Sequence, residues 1–135
     1  MSWLDDPQVR AFEAAAVDPS AFGHREHLFV AWCYLKELSL EQAVPRYVHH
    51  LQQLTRALGA PHKYHATMTW AYVVLLSESM YSPGLEGADF DALLARCPRL
   101  LDARGGLLHD YYDAGELSSD HARRRFVLPR RHVVT

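Results

Sequence analysis

Histidines carry the most suggestive chemistry in the chain, because six of the nine fall in close pairs: His24 with His27, His49 with His50, and His62 with His65. In His24-Arg25-Glu26-His27 the three-residue spacing puts both imidazoles on one side of a helix, with Cβ atoms about 5 to 6 Å apart. One metal ion can take both. Gly23 lets the backbone approach closely, and Phe22, Leu28 and Ala31 make the surroundings apolar. His65 opens Tyr64-His65-Ala66-Thr67-Met68-Thr69-Trp70, a mixture of threonines and aromatics unusual for simple core. If the two helices pack side by side, His65 joins His24 and His27 in a three-histidine site with an open position for water or substrate. Such a donor set suits a divalent Zn, Fe or Cu ion alike.

Other side chains fall into supporting roles. Tyr64, Glu26 and Glu78 are the candidate catalytic groups, and Thr67, Thr69, Trp32, Tyr72 and Arg125 the candidate substrate contacts, with Arg125 as an anion clamp. Glu78 lies about 20 Å along the helix axis from His65, so it can serve only a ligand reaching down a bundle or a histidine on another helix. The zinc-peptidase pattern HExxH is absent and ExxH does not occur twice, which removes the peptidase and di-iron carboxylate geometries. No GxSxG, P-loop or GxGxxG occurs, so serine-hydrolase, ATP and nicotinamide chemistry fall away. His49, His50 and His62 sit beside Gln52, Gln53 and Lys63 and read as solvated surface.

The elements that must hold these groups are helical. The chain of 135 residues is 49% hydrophobic and 22% charged, with a formal net charge of -2, which describes one globular domain. Its apolar spacing is that of helices nearly throughout, without the two-residue alternation of strands. The expectation is a single bundle of five or six helices. Pro7 starts one that runs to about Ala16, and a second spans about His24 to Leu38. Ser39 and Gln42 form a capping box for a third, which must bend or restart at Pro45 before ending at Gly59. The central helix runs from about Lys63 to Met80, followed by short helices over Phe90 to Arg96, Leu101 to Tyr112, and Ser118 or Ser119 to Phe126. After Arg130 the tail is expected to be disordered.

Cys33 and Cys97 read as reduced thiols of a cytoplasmic protein, since the acidic start and the short apolar runs match neither a secretory signal nor a membrane span. Residues 121–135 hold five arginines and no acid, which suits a tail lying across an acidic body. Asn is absent and Gln sparse, so specific nucleic-acid recognition is not expected. An oligomer stays open.

Phe22-Gly23-His24-Arg25-Glu26-His27-Leu28 with Val30-Ala31-Trp32-Cys33-Tyr34-Leu35, then Tyr64 to Ala71, then Ala122-Arg123-Arg124-Arg125-Phe126-Val127-Leu128-Pro129, resemble a group of small bacterial all-helical proteins with no established activity. The resemblance implies no catalytic residues. The residues themselves lead to a metal-dependent enzyme acting on a small polar or anionic metabolite, by hydrolysis or elimination. The alternative is a non-catalytic small-molecule-binding or protein-interaction module. There, Trp32, Tyr34, Trp70 and Tyr72 form a ligand pocket or dimer face and the histidines tune affinity with pH.

Overall fold

Helix starts in this chain are written by capping side chains. In the computed structural model, which describes residues 2–102 and 106–129, Asp6 accepts from the Gln8 amide and Pro7 occupies the first turn of α1 (Pro7–Glu13). Gly23 precedes α2 (His24–Glu37), and its amide donates to the Glu26 carboxylate at 2.9 Å. Ser39 and Gln42 close a reciprocal capping box at the start of α3 (Leu40–Ala57). His65 caps α4 (Ala66–Met80), Asp89 caps α5 (Phe90–Arg96), and α6 (Ala114–Leu117) and α7 (Asp120–Arg124) follow. Each cap satisfies amides that the helix itself leaves without acceptors.

Packing then follows from which faces are apolar. α2 is buried on every side from Val30 to Leu35 because α1, α3 and α4 surround it. Trp32, the largest of these side chains, stacks on Phe29 and meets the edge of Trp3. Its removal from water is worth about 1.5–3 kcal/mol. α3 is amphipathic, with Ala43, Val44, Tyr47 and Leu54 inward and Arg56 and Ala57 exposed. The buried apolar residues of α1 to α5 and of the segments after them join in one cluster.

The all-helical expectation holds: among the described residues there is no strand. Among the described residues there are seven α-helices where five or six are expected. α1 stops at Glu13, and Ala15 then takes a positive φ of 54°. α3 runs unbroken through Pro45, whose neighbours Val44 and Tyr47 are buried. Burial at those neighbours outweighs the one backbone hydrogen bond that proline removes. α4 begins at Ala66, since Pro61–Lys63 forms a separate 3-10 turn. Where one helix over Leu101 to Tyr112 is expected, the described residues form 3-10 turns at Pro98–Leu101 and Leu107–Asp110. α7 ends at Arg124 and not at Phe126, because Arg125 turns extended. The expected disordered tail lies outside the described residues. Among those described, no helix is long and apolar enough to cross a membrane.

Candidate functional site

Between α2, α3 and α4 lies a cavity of about 390 Å³. The chain from Val17 to Phe22 and the turn Pro61–Lys63 close around it. Helix order explains the assembly: α2 and α4 present their N-terminal ends to the same space, so His24, His27 and His65 all line it, as do Tyr64, Thr69 and Tyr72. The opposite wall is α3, through Tyr47, Leu51, Leu54, Thr55 and Leu58.

The imidazoles are held by different partners. His65 Nδ1 accepts the Met68 amide at 3.1 Å, so its Nε2 carries the proton and donates to the Leu117 carbonyl at 2.6 Å. His24 Nε2 donates to the Leu100 carbonyl at 2.8 Å, and its ring meets Tyr72 edge-on with centroids 4.8 Å apart. The Tyr47 hydroxyl sits 3.3 Å from His27 Nδ1 and 3.4 Å from the His27 carbonyl, which share its one proton. Burial pushes the His27 pKa down to about 4; nearby His24 adds to this and Glu26 opposes it. At neutral pH the ring is therefore uncharged.

The three expected ligands line one cavity without being grouped around one point. The rings share a cavity, yet among the described residues no three His, Cys, Asp or Glu side chains are grouped to hold a metal ion. Both nitrogens of His65 are already committed, and His24 has turned its Nε2 to a carbonyl.

The remaining expected site residues divide between cavity and scaffold. Tyr64, Thr69 and Tyr72 belong to the cavity. The Thr69 hydroxyl donates to the His65 carbonyl at 2.7 Å and the Tyr72 hydroxyl to the Asp102 carbonyl at 3.0 Å. Glu78 is exposed and does not line the cavity; Glu26 caps α2 and borders a different hollow with Gln8 and Ala11. Thr67 is fully buried, with Oγ1 2.7 Å from the Ala122 carbonyl and 2.8 Å from that of Arg125, so it fastens α7 to α4. Trp32 and Tyr34 are core, and the exposed Arg125 is joined to this region only through its carbonyl.

Three features escape a reading centred on histidine motifs. Tyr47, completely enclosed beside His27, comes from α3, whose residues Tyr47, Leu51, Leu54 and Leu58 recur at four, three and four positions. That apolar stripe is the signal that marks the third wall. Lys63 also lines the cavity. Behind α2, Glu13 accepts from Arg46 through both oxygens at 2.7 and 3.0 Å and from the Tyr34 hydroxyl at 2.5 Å. His50, expected on the surface, lies 3.6 Å from Glu13 through Nε2, and its Nδ1 is buried without a partner.

No protein family, curated protein or solved structure matches this chain.

Proposed function

We propose that the protein is a small-molecule-binding module whose ligand occupies the cavity between α2, α3 and α4. The observation that carries this reading is the cavity itself: about 390 Å³, walled by leucines and aromatics, and edged by a few polar groups. Its size and chemistry are those of ligand pockets. Two of its polar groups have no hydrogen-bond partner among the described residues, His27 Nε2 and the half-buried Tyr64 hydroxyl, and both remain open to a ligand. Burial raises the Tyr64 pKa, so the phenol keeps its proton and donates. Among the described residues neither Glu26 nor Glu78 reaches the cavity, so the carboxylates expected to act there are not placed to touch a ligand in it.

A fragment library screened by two-dimensional amide NMR tests this reading. Binders are expected to shift the amides of Ala31, Thr55 and Thr69, which lie on its three helical walls. A library in which no compound shifts these amides would sink the proposal. Shifts confined to the exposed α4 and α7 surface around Trp70 and Phe126 would also count against it, and would favour an interaction module instead.

A further inference from the structure

We propose that the cavity selects organic monoanions, an apolar body carrying one carboxylate whose charge sits beside Lys63 and Tyr64; this rests on the ligand-binding reading above. The first support is charge. The whole chain has more acidic than basic residues, yet among the described residues no Asp or Glu lines the cavity, and Lys63 is its one lining lysine or arginine. No ion pair of Lys63 is found among the described residues, so its ammonium is open to a ligand. A second cation stands beside the same turn. Arg123 donates to the His62 carbonyl at 3.0 Å, although part of its charge is met by Asp120 at 3.0 Å.

Backbone dipoles act in the same direction. α2 and α4 both start at the cavity, and each is long enough to carry a positive N-terminal end that favours an anion. Glu26 stands at the α2 start but accepts the Gly23 amide and borders the other hollow, so among the described residues a cationic ligand would meet Lys63 with no carboxylate in the cavity lining to pair with. The neutral His27 adds no positive charge and can only exchange a hydrogen bond. The protonated Tyr64 hydroxyl supplies a donor, and a hydrogen bond to an ionised acceptor is about twice as strong as one between neutral groups. Further in, Leu28, Leu51, Leu54, Met68 and Val73 leave room only for an apolar body.

A matched set of probes isolates the charge: naphthalene-2-carboxylate, its neutral amide, and the corresponding naphthylmethylammonium ion, titrated into the full chain at neutral pH and followed by amide NMR. The carboxylate is expected to shift the Ala31, Thr55 and Thr69 amides with an affinity about tenfold above that of the amide, about 1.4 kcal/mol, while the ammonium leaves them unmoved. Lys63→Gln, a change at an exposed side chain, is expected to lower the affinity for the carboxylate towards that for the amide, narrowing the gap between the two probes. Equal binding of carboxylate and amide, or binding of the ammonium, would overturn anion selectivity while the pocket itself stands. If none of the three shifts the cavity amides the selectivity falls too, and the fragment library decides separately whether ligand binding falls with it.

Discussion

The Met68 amide donates to His65 Nδ1 at 3.1 Å while the other nitrogen of that ring donates to the Leu117 carbonyl, so one imidazole both caps α4 and ties it to α6. The two tasks can be separated by substitution. His65→Asn keeps a capping side chain and loses the long-range bond, whereas His65→Ala loses both. A cap and a hydrogen bond are each worth about 1 kcal/mol. Urea denaturation should therefore give a loss of about 2 kcal/mol for the alanine and about half of that for the asparagine. Equal losses would mean that the bond to the Leu117 carbonyl alone matters and the cap adds nothing.

Thr67 holds the segment after α7. Its hydroxyl serves the Ala122 and Arg125 carbonyls and accepts the Val127 amide at 3.2 Å, while the Tyr112 hydroxyl donates to the Val127 carbonyl at 2.7 Å. Thr67→Val keeps the shape and leaves buried backbone groups without a partner, at a cost of about 1–3 kcal/mol. Hydrogen exchange should quicken over residues 118–129 before it does so in α2. Uniform quickening across the chain would contradict the local role.

Stability should depend on pH through His27. Its pKa is about 4 in the folded chain against an ordinary 6.5. Above about 6.5 neither state binds the proton and the full contribution is present. Between 6.5 and 4 the unfolded chain takes a proton that the folded chain refuses, so stability falls with falling pH by up to about 1.4 kcal/mol per unit. Below about 4 this loss stops growing. His50 contributes in the same direction, since burial pushes its pKa down against the pull of Glu13. Unfolding curves at stepped pH should thus be flatter, though not flat, for His27→Gln; an unchanged slope would remove His27 as the cause.

At Glu13, burial pushes the carboxyl pKa up, and hydrogen bonds from Arg46 and Tyr34 together outweigh it, leaving the pKa below its ordinary value. Glu13→Ala strands both the Tyr34 hydroxyl and the Arg46 guanidinium, so it should cost about 2 kcal/mol. Arg46→Ala, which removes a half-exposed partner, should cost about 1 kcal/mol or less. Denaturation midpoints rank the two, and the reverse order would show that leaving the Glu13 carboxylate without its cation costs more than leaving the Tyr34 hydroxyl without its acceptor.

The two thiols should differ in reactivity. Cys33 has no exposed surface, and burial, with a smaller push from Asp6, raises its pKa to about 12. Cys97 is half-buried. A thiol reagent at neutral pH should therefore consume one thiol per chain quickly and the second only as the chain unfolds. Two thiols reacting at one rate would contradict the burial of Cys33.

Much of the helical framework is legible in the chain because its signals are local. Ser39 with Gln42, and Ser118 or Ser119 before the last helix, mark starts that the structure reproduces, with Ser119 the cap it uses, since a cap needs only the amides two or three residues on. At Pro45 the helix does not restart, for the complementary reason. A local helix-breaking signal is overridden by burial of Val44 and Tyr47, which depends on residues far away in the chain. The cavity is half legible: the spacing of His24 and His27 and the start at His65 place these rings, and the structure gathers them.

What the amino-acid sequence alone determines, then, is helix type, most helix starts, and the presence of three imidazoles at two helix ends. The use of those imidazoles was decided by tertiary structure. His24 finds its acceptor 76 residues away and His65 finds one 52 residues away. Tyr47 reaches His27 from another helix. Metal ligation and carbonyl bonding draw on the same nitrogen lone pairs and protons, and no spacing rule within one helix tells which carbonyl another element will bring. Only the tertiary packing supplies those partners, the Leu100 carbonyl from a 3-10 turn, the Leu117 carbonyl from α6 and Tyr47 from α3, and it sets the three imidazoles in the wall of one cavity.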